Sequence, residues 1–150
     1  MKKYTQADFD AFEVIDGIKQ CPSGDYSDIQ VFSDRCSFGE DCSFGEECSF
    51  GKWCSFGEYC SFGEECSFGK WCSFSKQCSF GEDCSFGEEC SFGEDCSFGE
   101  ECSFEGKGEY IGDYPFLAFV GFGSRIGSKV YFFNLQDGIY VRCGCWLSDI

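Results

Sequence analysis

Cys36-Ser37-Phe38-Gly39-Glu40-Asp41 opens a hexapeptide repeat that recurs twelve times without a break, as far as Lys107. Cys begins every hexad, Phe follows it two residues later, and Gly-Glu usually comes next. Twelve of the fifteen cysteines of the chain lie in this array. A short and fixed internal period is typical of a solenoid, in which each repeat packs on its neighbours along a coil.

The length of the period excludes helical alternatives. Six matches neither the helical period of about 3.6 nor a heptad, and a Gly in every sixth position would destabilise a helix. Within a hexad, a single Ser separates Cys from Phe, which is the alternation of a strand with Cys and Phe inward and Ser outward. Gly after Phe suits a corner where a β-carbon would not fit. The pattern predicts short strands joined at corners, with the last two residues of each hexad in water.

This small-x-apolar-Gly-x-x pattern resembles the hexapeptide repeat of left-handed parallel β-helices, in which three hexads form one triangular coil. The resemblance covers all twelve hexads. Cys takes the place of the family's Ala, Ser, Thr or Val, and Phe that of its Ile, Leu or Val, which implies an aromatic, sulfur-rich core. The left hand follows from the resemblance alone, since crossovers between parallel strands are otherwise right-handed. The array, together with the segment Tyr131–Cys145, also resembles uncharacterised repeat proteins of phages and prophages.

Residues 1–23 are predicted to form an N-terminal cap, because the open end of a solenoid exposes strand edges that must be covered. Thr5 and Asp8 are a helix-start signature, and Phe9 and Phe12 could share one face of a short helix that ends near Glu13.

Aromatic residues continue the register beyond the clean repeats of residues 36–107. Counting by sixes reaches Phe32 and Tyr26 on one side and Tyr110, Phe116 and Phe122 on the other, which places the solenoid at residues 24–125. Residues 126–150 are predicted to form a C-terminal β-hairpin cap. Its expected strands are Val130–Leu135 and Ile139–Trp146, with Leu117–Gly123 as a candidate third strand. The expected fold class is an all-β triangular solenoid with a helical cap at one end and a hairpin cap at the other.

Charge and composition limit the function. Eleven Lys and Arg against 27 Asp and Glu give a net charge of −16, which disfavours nucleic acid and membranes and favours basic protein partners. The chain has no His, whereas the acyltransferases and zinc carbonic anhydrases among the hexapeptide helices need it as base or ligand. No phosphate-binding loop, nucleophile elbow or dinucleotide fingerprint occurs. No enzymatic activity and no cofactor are expected.

The cysteines and the N-terminus predict a reduced protein in the cytoplasm of the host cell. Met1-Lys2-Lys3 begins like a signal peptide, but no apolar segment follows it. The cysteines are odd in number and spaced as a structural repeat, unlike a disulfide framework. Their spacing of six also differs from the Cys-x-x-Cys spacing of zinc sites, so no metal is expected.

Three hexads per coil would place every eighteenth residue in the same outward row. One row, here called the acidic row, consists of Glu46, Glu47, Glu64, Glu65, Glu82, Asp83, Glu100 and Glu101. The mixed row consists of Glu40, Asp41, Glu58, Tyr59, Lys76, Gln77, Glu94 and Asp95. The aromatic–basic row consists of Lys52, Trp53, Lys70, Trp71, Glu88, Glu89, Gly106 and Lys107. Charge is thus sorted by row.

The acidic row is the predicted partner-binding site. With strands stacked about 4.8 Å apart it would carry one carboxylate per roughly 2.4 Å, comparable with one phosphate per about 1.7 Å of duplex DNA. We therefore expect a non-enzymatic, phage-type inhibitor that mimics nucleic acid and blocks a basic nucleic-acid-binding protein, such as a CRISPR effector or a restriction nuclease. Two other interpretations are open: the carboxylates only keep the protein soluble, or they bind Ca²⁺, for which no loop supplies neutral oxygens.

Lys52, Trp53, Lys70 and Trp71 form the second predicted site. Exposed Trp side chains often anchor an interface, so these four residues predict contact with a target protein or with a second copy of the chain. The alternative function is a structural or assembly protein that forms homo-oligomers through this row. The row could also be a cation–π ladder without a partner.

Overall fold

The computed structural model describes the backbone of residues 1–104, 109–111, 117–120, 129–135, 138–143 and 146–149, and the side chains of residues 1–103. The described part contains one helix, α1 (Gln6–Ala11), and 19 strands. The strands of the N-terminal region are β1 (Val14–Ile15), β2 (Ile18–Cys21) and β3 (Val31–Phe32). Those of the repeats are β4 (Cys36–Phe38), β5 (Ser49–Phe50), β6 (Ser55–Phe56), β7 (Ser61–Phe62), β8 (Ser67–Phe68), β9 (Ser73–Phe74), β10 (Ser79–Phe80), β11 (Ser85–Phe86), β12 (Ser91–Gly93), β13 (Ser97–Phe98) and β14 (Ser103–Phe104). The last five are β15 (Glu109–Ile111), β16 (Leu117–Val120), β17 (Lys129–Leu135), β18 (Gly138–Cys143) and β19 (Trp146–Asp149).

The strands form three sheets, which confirms the predicted β-solenoid with three hexads per coil. Sheet 1 has the order β1-β2-β4-β6-β9-β12-β15, sheet 2 the order β7-β10-β13-β16-β17-β18-β19, and sheet 3 the order β3-β5-β8-β11-β14. Pairing through the repeats is parallel and joins residues 18 apart, as in Ser55↔Ser73 and Phe56↔Phe74. The twelve clean hexads therefore make about four turns. The hand of the coil stays a prediction.

The core is built from the inward Cys and Phe of every hexad, as the alternation predicted. All Phe residues of the repeats from Phe38 to Phe98 and all Cys residues from Cys36 to Cys102 are buried. Rings one turn apart stack, as in Phe44 and Phe62, whose centroids lie 4.8 Å apart with planes at 3°. Rings in neighbouring sheets meet edge to face, as in Phe44 and Phe50 at 87°. Both geometries are favourable for aromatic pairs, so every ring is stabilised in two directions.

The cysteine thiols occupy the corners of the core. From Cys54 to Cys102, each Sγ donates to the carbonyl oxygen of the residue 21 positions earlier, as in Cys66 to Gly45 at 3.4 Å. All thirteen cysteines from Cys21 to Cys102 are free thiols. Cys is small enough to leave room for Phe and also satisfies a carbonyl of the previous turn.

The repeat glycines are required for close approach between turns. A β-carbon at Gly63 would lie 2.7 Å from the carbonyl carbon of Gly45 in the turn below. The left-handed conformation at each corner belongs instead to the residue before Cys, such as Glu47 (φ 56°) or Trp53 (φ 62°). Sequence analysis predicted correctly that a β-carbon would not fit at the Gly, but the positive φ lies two residues further on.

The N-terminal helix begins as predicted. The Thr5 side chain and the Asp8 carboxylate form a capping box, and α1 ends at Ala11, two residues before the predicted end. Phe9 is buried against Phe32, with ring centroids 5.3 Å apart, so the helix covers the first strand of sheet 3. Among the described residues α1 is the one helix, and it is far too short to span a membrane.

Beyond the clean repeats the parallel register shifts. Tyr110 pairs with Phe92, as counting by sixes predicted, but Phe98 pairs with Phe119. The predicted register at Phe116 is therefore wrong by three residues, and Phe122 lies outside the described residues. Strand β16 then pairs antiparallel with β17, β17 with β18, and β18 with β19. The predicted hairpin is thus present at the end of sheet 2, with β16 as its third strand.

Candidate partner-binding rows

The outward rows lie at the three corners of the coil, one between each pair of sheets. From Cys36 to Glu101, Ser and Phe of each hexad are followed by Gly (Ser75 in one hexad) and then by two turn residues, which are the row residues. Following the chain from β6 through β7 to β8 places the mixed row between sheets 1 and 2 and the acidic row between sheets 2 and 3. The aromatic–basic row then lies between sheets 3 and 1. The acidic row is therefore the corner opposite sheet 1.

The acidic row keeps the spacing of the core. Its backbone is held from turn to turn, because the N–H of Glu47 donates to the carbonyl of Glu64 at 2.9 Å and that of Glu65 to Glu82 at 2.9 Å. Successive pairs of carboxylates thus follow the 4.8 Å rise that separates Phe44 from Phe62. All eight side chains are at least partly exposed. The structure brings the eight predicted residues into one continuous line.

Ion pairing distinguishes the acidic row from the other two. Among the described residues, the ion pairs are Lys3 with Asp28 (2.9 Å), Lys76 with Glu58 (3.3 Å) and Lys70 with Glu88. None involves a carboxylate of the acidic row. Within the described part, the negative charge of this row is therefore not offset by ion pairs, and a cationic partner would be attracted to it.

Backbone strain points to the side chains of the rows. Eleven row residues from Asp41 to Glu101 have a positive φ, between 55° and 62°, and none of them is Gly or Asn. Three of them are Asp, which adopts this conformation more readily, and the other residue types cost about 1–2 kcal/mol each relative to Gly. The sequence thus keeps side chains at these positions against a conformational cost, and because the positive φ recurs in every hexad from Cys36 to Glu101 it belongs to the turn of the repeat in all three rows alike.

The aromatic–basic row contains a stacked pair of indoles. Trp53 and Trp71 lie 4.6 Å apart with planes at 9°, and their side chains are 52% and 41% exposed. Lys52 and Lys70 precede them, and Lys70 reaches Glu88 on the next turn. The structure therefore brings together the four residues predicted as an interface.

Comparison with known proteins gives one family match. Five segments, residues 32–45, 47–63, 60–75, 71–93 and 89–104, match the model of the RNA-binding, Nab2-type zinc finger, a Cys-Cys-Cys-His family, and together they cover just under half of the chain. The matching model is not one of a hexapeptide-repeat family. No curated protein and no solved structure matches the chain.

The cysteines of this chain do not fit the zinc site that the matched model implies. The chain has no His to complete a Cys-Cys-Cys-His set, and no group of three or more Cys, Asp or Glu among the described residues is arranged to hold a metal ion. Zinc binds thiolate, whereas each Sγ from Cys54 to Cys102 donates to a backbone carbonyl, a contact that only the thiol can make. Contact with the Cys36 thiol raises the pKa of Cys54 to about 12, and contacts with Cys54 and Cys90 together with burial raise the pKa of Cys72. The match therefore reflects the recurrence of Cys, and these thiols act as core residues.

Sequence analysis missed one relationship between two rows. Trp53 and Trp71 precede strands β6 and β9 of sheet 1. At the far ends of the same two strands lie three residues of the mixed row, namely Tyr59, Lys76 and Gln77. The signal was present in the sequence, since these residues interrupt the Glu-Glu or Glu-Asp ending that most hexads share.

Proposed function

We propose that this protein is a non-enzymatic inhibitor whose acidic row occupies the nucleic-acid-binding surface of a basic partner protein. The observation that supports the proposal is the line of eight exposed carboxylates, repeated at the rise of the core and outside every ion pair of the described residues. Two carboxylates per 4.8 Å turn give one charge per about 2.4 Å, between the values of about 1.7 Å for duplex DNA and 3.4 Å for one of its strands. A rigid rod offers this spacing without the entropy loss of ordering a flexible acidic segment.

The resemblance of the array to phage and prophage proteins suggests which kind of partner to test. Nucleases of host defence, such as CRISPR effectors and restriction enzymes, hold nucleic acid in basic channels that an acidic rod could enter. The separate resemblance of the array to the hexapeptide repeats of left-handed parallel β-helices supports a left-handed coil. Both points are part of the proposal.

The experiment compares two variants with the same change of net charge. One neutralises the middle of the acidic row (Glu64→Gln, Glu65→Gln, Glu82→Gln, Asp83→Asn), and the control neutralises four carboxylates of the mixed row (Glu40→Gln, Asp41→Asn, Glu94→Gln, Asp95→Asn). Each immobilised protein is exposed to nuclease-treated bacterial lysate at low salt, and bound proteins are eluted with duplex DNA and then with salt.

The expected result is capture of a nucleic-acid-binding protein by the parent and by the mixed-row variant, with release by DNA and loss of capture by the acidic-row variant. Because the contact is between charges, capture should also weaken steeply with salt. Equal loss of capture by both variants would mean that net charge, and not the acidic row, determines binding. Capture that DNA cannot displace would contradict mimicry.

A further inference from the structure

The cysteines of the array form three straight columns inside the solenoid. Because the coil repeats every 18 residues, the thiols at each corner stack turn above turn. The columns are Cys36, Cys54, Cys72 and Cys90; Cys42, Cys60, Cys78 and Cys96; and Cys48, Cys66, Cys84 and Cys102. All twelve are buried, free thiols. Ala would supply the small size that the corner requires and Ser the hydrogen bond, so the recurrence of sulfur is not explained by packing alone.

Sulfur atoms within a column are separated by the rise of the coil. Every Sγ from Cys54 to Cys102 makes the same hydrogen bond, at 3.3–3.5 Å, to the carbonyl 21 residues earlier, so the thiol conformation repeats with the turn. The rings of Phe44 and Phe62, one turn apart, are separated by 4.8 Å. Neighbouring sulfurs of a column are therefore also about 4.8 Å apart. The Cys66 thiol interacts accordingly with that of Cys84 in the next turn.

This separation is too long for a disulfide and suits a metal ion held in line between two sulfurs. Equivalent β-carbons of stacked parallel strands lie as far apart as the turns, beyond the about 3.5–4.5 Å that a disulfide spans. A metal–thiolate bond is about 2.3 Å long for zinc and of similar length for other d¹⁰ ions, so an ion midway between two sulfurs needs them about 4.6 Å apart. The columns provide nearly this distance at each step from Cys54 to Cys102, with the backbone as it stands.

We infer that each column binds a soft d¹⁰ metal ion, Hg²⁺ above all, between the thiols of two successive turns. On binding, two S–H bonds break, both protons pass to water, and two Hg–S bonds form, so a divalent ion gives a neutral pair. A neutral pair suits an apolar core, whereas the monovalent ions Cu⁺ and Ag⁺ would leave a buried negative charge. Zn²⁺ needs four ligands, and no three are grouped for a metal among the described residues. A column of four thiols holds two ions.

The position of each thiol behind a turn gives the ion a short route to it. Cys66 directly follows Glu64 and Glu65, both exposed, and the other cysteines from Cys42 to Cys102 follow turn residues in the same way. Local opening of one turn admits an ion while the sheets on either side stay paired. The carboxylates of the turns also attract cations to the entrance. Binding then replaces two S–H···O hydrogen bonds by two stronger metal–sulfur bonds.

Two variants with the same number of thiols test whether neighbours in a column share an ion. Cys66→Ser with Cys84→Ser leaves Cys48 and Cys102 three turns apart, so this column should lose both of its ions. Cys48→Ser with Cys66→Ser leaves Cys84 and Cys102 adjacent, so the column should lose only one. Ser is as small as Cys and can donate to the same carbonyl, so both variants should fold, which circular dichroism checks.

The full chain is reduced, freed of reductant under nitrogen and titrated with mercuric chloride, and native mass spectrometry counts the bound ions. Relative to the parent, the variant with adjacent thiols left should bind one ion fewer and the other variant two fewer. X-ray absorption of the loaded parent should find two sulfur neighbours per ion at about 2.3 Å. Equal losses in the two variants, or three or more sulfur neighbours per ion, would overturn the inference.

The fold and the acidic row supply two further checks. Circular dichroism of the parent should not change as the ions bind, and loss of its β signal would overturn the inference, because the ions would then be held by an unfolded chain. The acidic-row variant should bind as many ions as the parent, whether or not it captures a partner. The metal columns and the proposed function can therefore fail independently of each other.

Discussion

The Cys66 thiol donates to the Gly45 carbonyl in the turn below at 3.4 Å, and the same contact recurs at Cys72, Cys78, Cys84 and onwards along the core. Each cysteine therefore serves in two directions: it packs beside Phe within its own turn and bonds to the backbone of the previous turn. This contact requires the protonated form of the sulfur. Chemistry that removes the proton should therefore weaken the fold.

Alkaline pH is expected to destabilise the protein. The pKa of Cys54 rises from 9.0 to about 12 in the folded chain. A raised pKa means that the contribution to stability is complete below pH 9 and is lost as the pH rises from 9 towards 12. Each such thiol lowers the free energy of unfolding by about 1.4 kcal/mol per pH unit in that window. Thermal unfolding between pH 7.5 and 10.5, with a reductant present, measures the effect.

A variant with fewer thiols is the control for the alkaline effect. Cys60→Ala with Cys78→Ala should be less stable than the parent at pH 7.5, because Sγ packing and two hydrogen bonds are lost, but its stability should fall less steeply with pH. A melting temperature that does not change between pH 8 and 10.5 would show that the thiols are not held protonated.

Removal of metal is expected to leave the protein unchanged. The thiols are bonded to carbonyls, and no three ligands converge among the described residues, so we expect structural zinc to make no contribution to folding. The melting temperature with and without a chelator should agree within about 1 °C, whereas a ligand bound well above its dissociation constant would shift it by several degrees. Elemental analysis should find much less than one zinc per chain. A stoichiometric zinc whose removal unfolds the protein would contradict the assignment of the cysteines to the core.

Glycine and the corner residue are expected to respond in opposite ways to substitution. Gly63→Ala should lower the free energy of unfolding by about 1–3 kcal/mol, because its β-carbon would lie 2.7 Å from the backbone of Gly45. Gln77→Gly should leave it unchanged or raise it by up to about 1 kcal/mol, since Gln77 has φ 58° and Gly adopts that conformation without strain. Urea unfolding of both variants measures the difference. If Gln77→Gly destabilised the protein more than Gly63→Ala, the repeat glycines would be needed for the backbone conformation of the corner and not for the close approach of successive coils.

The glycine positions also show what could be predicted from the sequence and what could not. The alternation of Cys and Phe fixed the inward side chains, and Thr5 with Asp8 fixed the start of the helix, since both depend on local geometry. A recurring Gly has two physical causes, positive φ and close approach, and only the structure separates them. The pairing of Phe119 with Phe98 was unpredictable for a related reason: past Tyr110 the small inward position is taken by Tyr114 and Val120, and an aromatic residue alone does not define the register.

The acidic row is expected to reduce the stability of the fold that carries it. Like charges on neighbouring strands repel by roughly 0.2–1 kcal/mol per pair. Neutralising Glu64, Glu65, Glu82 and Asp83 interrupts both lines of carboxylates in their two middle turns. The free energy of unfolding should therefore rise by about 1–3 kcal/mol at low salt, and by less at 0.5 M salt, where the Debye length is only a few ångströms.

The mixed-row variant (Glu40→Gln, Asp41→Asn, Glu94→Gln, Asp95→Asn) is the matched control for this effect. In the mixed row, Lys76 lies between the carboxylates of Glu58 and Glu94 and pairs with Glu58. Neutralising this row therefore relieves less repulsion, and the gain in stability should be smaller. A row that proved to lower stability while running uninterrupted over four turns would have a use other than folding, either in binding or in solubility. If the acidic-row variant proved less stable than the parent at every salt concentration, the carboxylates would be structural, and the main physical reason to assign them a partner would be lost.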